Sequence, residues 1–338
     1  MAGRIVRPGP GVSRAKAVEV VDVLRASARR AAPLAAKLSR MEAADGREIT
    51  ADSLSRIYVV DRPGWALGAA RSMQEMLRIG PQTGKDGEPD ATDIASNVEV
   101  TAALTFLSRN TLGQFDPFGP RLDSEDPAGD PRGNLLLVAP NVLTTQRSMA
   151  VNYPDFALWV ALHEQTHALQ FAAAPWLTGY LQDLIEEMIG AFPTEMRLKE
   201  WTRTTASVLR GGTGLVDSLL AAEQRVIFAK ITAAMSVLEG HADGMMDLVS
   251  AKDVADVAVL RRKFSARRTA TNRRSELIMR LSGMDTKMDQ YRTGAAFVQG
   301  VRRRVGLAGV NRVWQGPEFL PTVIELDSPA QWIERVAP

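Results

Sequence analysis

The chain has 338 residues, 45% of them hydrophobic, so it can bury a sizeable core and does not belong to the intrinsically disordered class. Its 41 basic and 39 acidic residues leave a net charge of +2, which predicts neither wholesale nucleic-acid binding nor a membrane partner. The chain contains no cysteine, which excludes disulfides, a thiol nucleophile and cysteine-ligated zinc. The N-terminus has no signal-like apolar run, and no segment approaches roughly 18 apolar residues, so the sequence predicts a cytoplasmic protein.

Residues 1–133 are predicted to form a mostly helical region with exposed loops. Apolar residues at helical spacing predict one helix from about Ser13 to Met41, with Ser13 as its cap, and another from Val98 to Ser108. The apolar run from Ile57 to Trp65 fits either a strand or the start of a helix. Stretches rich in Gly, Pro and Asp predict two exposed loops, at Gly80–Asp93 and Gly113–Asn134.

Residues 134–338 are predicted to form a second region, packed together with the first as one unit. The continuous apolar run at Asn134–Val142 predicts a strand. Helices are predicted to follow it at about Pro154–Ala174, Trp176–Trp201, Leu215–Ser250, Ala255–Leu281 and Met284–Val305. The fold class predicted from these patterns is mainly α, of the α+β type, with a small β-sheet.

The sequence HEQTH at residues 163–167 contains two of the three histidines in the chain. On a helix, His163 and His167 lie one turn apart on one face, so both imidazoles can bind one metal ion while Glu164 projects beside them. The alternative interpretation is a pair of buried histidines with other partners and a solvated glutamate. The pattern favours a metal site, because Zn²⁺ binds imidazole well and a neighbouring Glu can act as a general base.

A catalytic zinc also needs a third protein ligand, and LEGHAD at residues 238–243 offers two candidates. Glu239 and Asp243 are four residues apart and share one face of a helix. Glu239 can therefore bind the metal while Asp243 accepts a hydrogen bond from a metal-binding histidine. The alternative third ligand is His241, which points to nearly the opposite side of the helix. The paired carboxylates favour Glu239.

Six motifs spread over nearly the whole chain resemble one bacterial family. They are DRPGW (61–65), LGQFD (112–116), HEQTHALQF (163–171), LEGHAD (238–243), MDTKMDQY (284–291) and VWQGPEFLPTVIELDSPAQWIERV (313–336). The family consists of zincin-like proteins described as zinc-dependent metallopeptidases, some of them associated with deazaflavin-cofactor biosynthesis. HExxH followed by ExxxD also resembles the gluzincin arrangement of metallopeptidases. The resemblance implies a zincin-like helical domain with a small β-sheet beside the HExxH helix, and it implies no known substrate.

The expected activity is zinc-dependent hydrolysis of a peptide or amide bond, with Zn²⁺ bound by His163, His167 and Glu239 and with Glu164 as the general base. The oxyanion that forms in such a reaction needs a hydrogen-bond donor, for which the candidates are His241, Tyr180 and Tyr291. An extended peptide is expected to pair with an exposed edge of the Asn134–Val142 strand.

A second hypothesis is a non-catalytic binding or scaffold protein that keeps the zincin fold. The presence of Glu164 favours the enzyme, because a scaffold has no chemical need for a base. The segment Arg261–Arg280 is strongly basic and could bind nucleic acid. The nearly balanced total charge instead favours a solvated helix that pairs with the acidic stretch after Gln182, so no nucleic-acid partner is predicted.

Overall fold

The computed structural model of the chain describes residues 6, 9–78, 98–123, 132–191, 222–264, 266 and 290–336. The chain divides into two compact units, one made of Met1–Glu186 with Trp314–Pro317 and the other of Glu187–Val313 with Glu318–Pro338. The fold is mainly helical with a small three-stranded mixed sheet, as predicted. None of the helices in these ranges is both long and apolar enough to cross a membrane.

The first unit contains the sheet and the HExxH helix. Its elements, with the end of the last one in the second unit, are α1 (Arg14–Ser39), α2 (Ala51–Leu54), β1 (Arg56–Val60), α3 (Arg62–Arg78), α4 (Val98–Asn110), β2 (Gly113–Asp116), β3 (Asn134–Val138), α5 (Ala139–Met149), α6 (Tyr153–Ala173) and α7 (Trp176–Gly190). The predicted helix cap at Ser13 is confirmed, because its side chain accepts a hydrogen bond from the Lys16 N–H at 3.2 Å.

Strand β3 is the centre of the sheet, with β1 parallel on one side and β2 antiparallel on the other. Successive side chains of a strand point to opposite faces, and both faces of β3 are covered. Leu136 and Val138 pack with α3 residues such as Trp65, whereas α6 lies against the other face. On that second face Phe115 of β2 lies opposite Leu135. All five residues of β3 are buried as a result.

Two predictions for this region are wrong. The strand predicted at Asn134–Val142 ends at Val138, and α5 begins at Ala139 with a proline in its first turn. The strand is buried and the start of the helix is buried or half-buried, so one apolar run covers a strand and a helix start that periodicity alone does not separate. The loop predicted at Gly113–Asn134 begins with strand β2, which forms because it pairs with β3. Because β3 has neighbours on both sides, it offers no edge to a peptide.

Helix α6 threads the core of the first unit. Its N-cap is Asn152, whose side chain accepts the Asp155 N–H, and Pro154 lies in its first turn. Gln165, inside the HExxH sequence, is fully buried and holds the helix on two sides. Its Nε2 donates to the Ala28 carbonyl of α1 at 3.2 Å, and its Oε1 accepts from Ser55 at 3.2 Å. These bonds fix the rotation of α6 about its own axis.

The second unit contains the helix that carries LEGHAD. Its elements after residue 190 are α8 (Ala222–Met246), a helical segment at 257–264, α9 (Gln290–Val310), α10 (Val323–Asp327) and α11 (Pro329–Val336). The 3₁₀ turns at Asn311–Trp314 and Pro317–Phe319 each have one residue, Trp314 or Pro317, in the first unit. Helices α8 and α9 pack closely at two glycines, Gly240 and Gly294. A Cβ on Gly240 would lie 2.2 Å from the carbonyl carbon of Gly294, and one on Gly294 would lie 2.0 Å from the Ser236 oxygen. Glycine at both positions therefore sets the distance between these helices.

Several predictions concern other parts of the chain. The loop at Gly80–Asp93 lies outside the described residues, as do the C-terminal end of the Trp176–Trp201 helix and most of the Ala255–Leu281 helix. The helix predicted at Met284–Val305 is observed from Gln290, and its regular geometry breaks at Gly306, whose φ is +72°. In the basic segment Arg261–Arg280, Arg261 donates to the carbonyls of Met246, Asp247 and Val249 near the end of α8. Arg261 thus has a structural role.

Candidate metal centre

His163 and His167 lie one turn apart on α6 with their imidazoles turned toward each other. Their Nε2 atoms are 3.3 Å apart, and the rings are edge to face with centroids 4.9 Å apart. Two nitrogens bound to one tetrahedral zinc at about 2.0–2.1 Å are separated by about 3.3 Å. A hydrogen-bonded pair of imidazoles has a similar separation, so the remaining groups decide between the two interpretations.

Gln170 orients the second of these histidines. Nδ1 of His167 lies 2.9 Å from Oε1 of Gln170, which is fully buried. An amide oxygen can only accept a hydrogen bond, so Nδ1 of His167 carries the proton and donates it. Nε2 then has its lone pair directed toward His163, as a metal ligand requires. The hydrogen bond therefore selects the metal-binding tautomer of His167.

Glu164 is buried and held by strand β2. Its Oε2 accepts a hydrogen bond of 3.1 Å from the backbone N–H of Phe115. The fit is tight, because a Cβ on Gly113 would lie 2.6 Å from Cγ of Glu164 and 3.0 Å from its Oε1. Since the Phe115 N–H bonds to Glu164, it points away from β3. The outer edge of β2 thus faces the carboxylate of the HExxH sequence.

Glu239 provides the third candidate donor. One ligand atom from each of His163, His167 and Glu239 lies within 4.8 Å of the others, and all three residues are partly buried. Two imidazoles and one carboxylate form a donor set that suits zinc and leave a position open for chemistry. His241, the alternative third ligand in the sequence, is not a member of this group within the part of the chain that the structure describes.

The other residues named from the sequence lie in varied surroundings. His241 is fully buried in α8, and Asp243 is half-buried four residues after Glu239. Tyr180 lies on α7, where its ring packs edge to face on Trp176 with centroids 5.8 Å apart. Tyr291 belongs to α9, but its side chain is outside the described residues. The roles of Asp243 as a hydrogen-bond acceptor and of the three oxyanion donors stay predictions.

Sequence reasoning did not single out Gln170, Phe115 or Gly113. A signal for Gln170 was available, because it is three residues after His167 and residues at that spacing are neighbours on a helix. Phe115 and Gly113 are about 50 positions from Glu164 in the sequence, and only the pairing of β2 with β3 brings them to it. Nothing local in the sequence indicates that contact.

Comparisons with known proteins agree with the geometry. A crystal structure from Chloroflexus aurantiacus, described as a candidate hydrolase with a novel fold, is similar to this chain with a TM-score of 0.60. The two are 25% identical over 97% of this chain and 92% of that chain. No protein of curated function matches the sequence. Residues 1–333 match the family of zincin-like metallopeptidases. Because this match covers nearly the whole sequence, the chain belongs to the zincin-like metallopeptidase family.

Proposed function

We propose that this protein is a zinc-dependent metallopeptidase that hydrolyses a peptide or amide bond, with zinc held by His163, His167 and Glu239. The observation that carries the proposal is the convergence of two imidazoles and a carboxylate within 4.8 Å, in a chain whose HExxH sequence retains its glutamate. The donor set contains no thiolate and matches hydrolytic zinc sites with two histidines and one glutamate.

Bound zinc would supply Lewis acidity, which lowers the pKa of a water molecule to about 7 and polarises the scissile carbonyl. Glu164 is the general base in this proposal. Its carboxylate takes a proton from the water and then passes it to the nitrogen of the leaving amine. The bond from the Phe115 N–H to Oε2 holds the carboxylate in one orientation, and burial of the side chain limits competing water.

The outer edge of β2 is the candidate binding site for the peptide backbone. In an antiparallel pair, backbone groups alternate between facing the partner strand and facing away from it. The Val138 N–H donates to the Leu112 carbonyl, whereas the Phe115 N–H faces Glu164. The carbonyls of Gly113 and Phe115 therefore face the same side as Glu164. A substrate strand added there would lie beside the proposed base.

The proposal is tested by metal analysis and peptide cleavage on one set of variants. We expect purified protein to contain one zinc per chain, and His163→Ala and Glu239→Ala to lose it. Glu164→Gln should keep the metal and lose at least about 100-fold in cleavage rate, because the amide cannot accept the proton. Glu187→Gln is the matched control, since Glu187 is exposed on α7, and it should resemble the parent.

Each alternative gives a different result. If His241→Ala loses the metal and Glu239→Ala retains it, the third ligand is His241 and not Glu239. Metal binding without cleavage of any peptide in a diverse library would favour the scaffold hypothesis over the enzyme. Full metal retention in both His163→Ala and Glu239→Ala would contradict the site itself.

A further inference from the structure

Strand β1 is an edge of the sheet, and its outer side has no neighbouring strand among the described residues. The Arg56 N–H donates to the Gly133 carbonyl at 2.9 Å, so the backbone groups of Arg56 face β3. Backbone groups of consecutive residues point to opposite sides of a strand, so the N–H and C=O groups of Ile57 and Val59 point away from the sheet. None of these four groups has a hydrogen-bond partner in the described part of the chain. Such an edge is a template for another strand.

Two cavities of about 320 and 450 Å³ lie along this edge, and Val59 and Val60 line both of them. Consecutive residues of β1 line the first cavity, together with Arg25 of α1 and Arg71 of α3. Because α1 packs on α6 and α3 packs on the opposite face of the sheet, this cavity follows the edge and does not lie over one face. The second cavity continues past the end of the strand to Asp61. The outer side of β1 therefore faces open space between α1 and α3.

Helix α3 runs back along β1, which places Arg71 beside the start of the strand. A Cβ on Gly64 would lie 3.2 Å from Cβ of Val60, the last residue of β1. A Cβ on Gly68, one turn later, would lie 3.3 Å from the β3 residue opposite Tyr58. The next turn of the helix carries Arg71 to the level of the first residues of β1.

Helix α1 runs in the same direction as α3. Its residues Val20 and Val21 line the cavity that ends at Asp61, whereas Arg25, one turn further on, lines the cavity nearer the start of β1. Neither Arg25 nor Arg71 forms an ion pair with another described residue. Asp61 is exposed at the other end of the strand. The edge thus has a positive end and a negative end.

Asp123 also lines the first cavity, but its charge is compensated within the chain. It accepts a hydrogen bond of 3.2 Å from Nε of Arg121 and one of 2.8 Å from the hydroxyl of Tyr58. The bond from Arg121, followed by the one from Tyr58, lowers the pKa of Asp123. Asp123 therefore does not neutralise Arg25 or Arg71.

Exposed apolar side chains flank the same edge on both helices. Leu67 of α3, which lines the first cavity, is 51% exposed, and Val18 of α1 is 52% exposed. Val18 precedes Arg25 by seven residues, about two turns, so both lie on one face of α1. Apolar side chains exposed together indicate a contact surface. Both helices thus offer apolar as well as charged groups beside the open strand.

We propose that this edge pairs with the same edge of a second copy of the chain, which gives a two-fold dimer with one continuous sheet. An axis at Tyr58 places Ile57 of one copy opposite Val59 of the other in an antiparallel pair. Outward-facing residues that lie opposite each other exchange two hydrogen bonds, so all the outward groups of both residues are paired. The backbone groups are therefore self-complementary, as a two-fold interface requires.

The charges are self-complementary in the same arrangement. An antiparallel pair brings the start of each β1 to the end of the other. Asp61 of the second copy then lies opposite Ser55, at the end of the groove where Arg25 and Arg71 lie. A short acidic peptide would match the positive end alone, whereas a second copy matches both ends.

The dimer leaves the candidate metal centre accessible from the sheet. Strand β3 lies between β1 and β2, so pairing at β1 does not occupy the outer edge of β2, where Phe115 holds Glu164. The inference is therefore independent of the bound metal and of the proposed peptidase activity.

Sedimentation equilibrium of the full chain tests the proposal. We expect the mass to rise from 36.8 kDa toward twice that value between about 1 and 100 μM protein, with zinc or with a chelator. Val59→Pro removes an outward N–H and no bond to β3, and proline is tolerated at such positions of edge strands. It should weaken dimerisation by at least about 10-fold. Val59→Ala is the control, which keeps the N–H and should weaken the dimer less.

A charge exchange tests the pairing without altering the strand. Asp61→Arg makes both ends of the edge positive, and the double substitution Arg25→Asp with Arg71→Asp makes both ends negative. Each protein alone should dimerise at least about 10-fold more weakly than the parent, because like charges meet at both ends. An equal mixture should regain the parental affinity, because opposite charges then meet at both ends. Arg225→Asp is the control, since Arg225 is exposed on α8 in the second unit and does not line the groove, and it should dimerise like the parent.

A parent that stays monomeric at about 100 μM would overturn the inference. A dimer that neither Val59→Pro nor the charge variants weaken would use another surface, and a mixture no more dimeric than its components would contradict the two-fold pairing. Amide hydrogen exchange identifies a different occupant. If the Ile57 and Val59 amides of a monomeric parent become protected only when an acidic peptide is added, the edge binds a peptide and not a second copy.

Discussion

The backbone N–H of Phe115 donates a hydrogen bond of 3.1 Å to Oε2 of Glu164. This bond joins the outer edge of β2 to the residue proposed as the general base. An added peptide strand and the carboxylate that would act on it are therefore positioned by the same backbone. The position of β2 in turn depends on its pairing with β3, where Phe115 lies opposite Leu135.

Gly113→Ala tests how closely β2 must approach Glu164. The added Cβ would lie 2.6 Å from Cγ of Glu164, so the carboxylate must leave its place beside the Phe115 N–H. A displacement of about 1 Å in a catalytic group can cost on the order of 100-fold in rate. We expect cleavage to fall by about 10-fold to 100-fold with zinc content unchanged.

Gly179→Ala is the control for this substitution, because a Cβ at Gly179 meets nothing within 4 Å among the described residues. It should leave cleavage at the parental rate. Parental cleavage by Gly113→Ala would show that Glu164 does not need the position it has in this structure.

Gln170→Ala tests the partner of His167. Removal of the acceptor from a metal-binding histidine typically weakens metal affinity by about 10-fold to 100-fold. We expect this loss in a competition titration with a chelator, whereas Gln170→Glu should retain affinity because it keeps an acceptor oxygen. Parental affinity in Gln170→Ala would show that the hydrogen bond is not needed to orient His167.

Asp243→Ala, measured in the same titration, tests the acceptor predicted from the sequence. Loss of the carboxylate should weaken zinc binding to a level between the parent and Glu239→Ala. If Gln170→Ala weakens binding and Asp243→Ala does not, the hydrogen-bond acceptor lies on α6 alone. Complete loss of zinc from Asp243→Ala would instead make Asp243 a ligand.

Local pattern predicted α1 and α6 well, because each has a capping residue at its start and a long apolar sequence behind it. The same pattern predicted that His163, Glu164 and His167 lie close together, because residues one turn apart on a helix are neighbours. Local pattern did not predict strand β2, which is only four residues long and is defined by its pairing with β3.

Gly240→Ala and Gly294→Ala test the close packing of α8 on α9. Each new Cβ would lie within 2.2 Å of the backbone of the facing helix, which cannot move aside as a side chain can. We expect each substitution to lower the free energy of unfolding in urea by about 1–3 kcal/mol. Zinc affinity should also fall, because Glu239 immediately precedes Gly240.

Gly190→Ala is the control, since a Cβ there meets nothing within 4 Å among the described residues. It should leave the stability at or slightly above that of the parent, because alanine favours helix more than glycine does. An unchanged stability in both Gly240→Ala and Gly294→Ala would mean that the helices can separate at little cost.

The pair of Glu325 and Arg335 gives a prediction about pH. The two side chains are joined by bonds of 2.6 Å and 3.0 Å near the C-terminus. Burial by itself would raise the pKa of Glu325, but the bonds from Arg335 and from the Thr322 N–H lower it below its ordinary value of 4.5. A carboxylate with a lowered pKa in the folded state stabilises the fold above the pKa of the unfolded chain. That contribution is lost as the pH falls from 4.5 through the pKa of the folded state.

We therefore expect Glu325→Gln to lower the free energy of unfolding at pH 7 by about 1 kcal/mol, a value that allows for solvent screening of Arg335, whose side chain is 40% exposed. The difference from the parent should shrink in urea titrations as the pH falls below 4.5, because the unfolded parent binds a proton at Glu325 there before the folded parent does. Glu318→Gln is the matched control, since Arg335 contacts only the backbone carbonyl of Glu318, and it should follow the parent at every pH. A difference between Glu325→Gln and the parent that stays constant from pH 7 to pH 3 would show that the carboxylate contributes through packing and not through its charge.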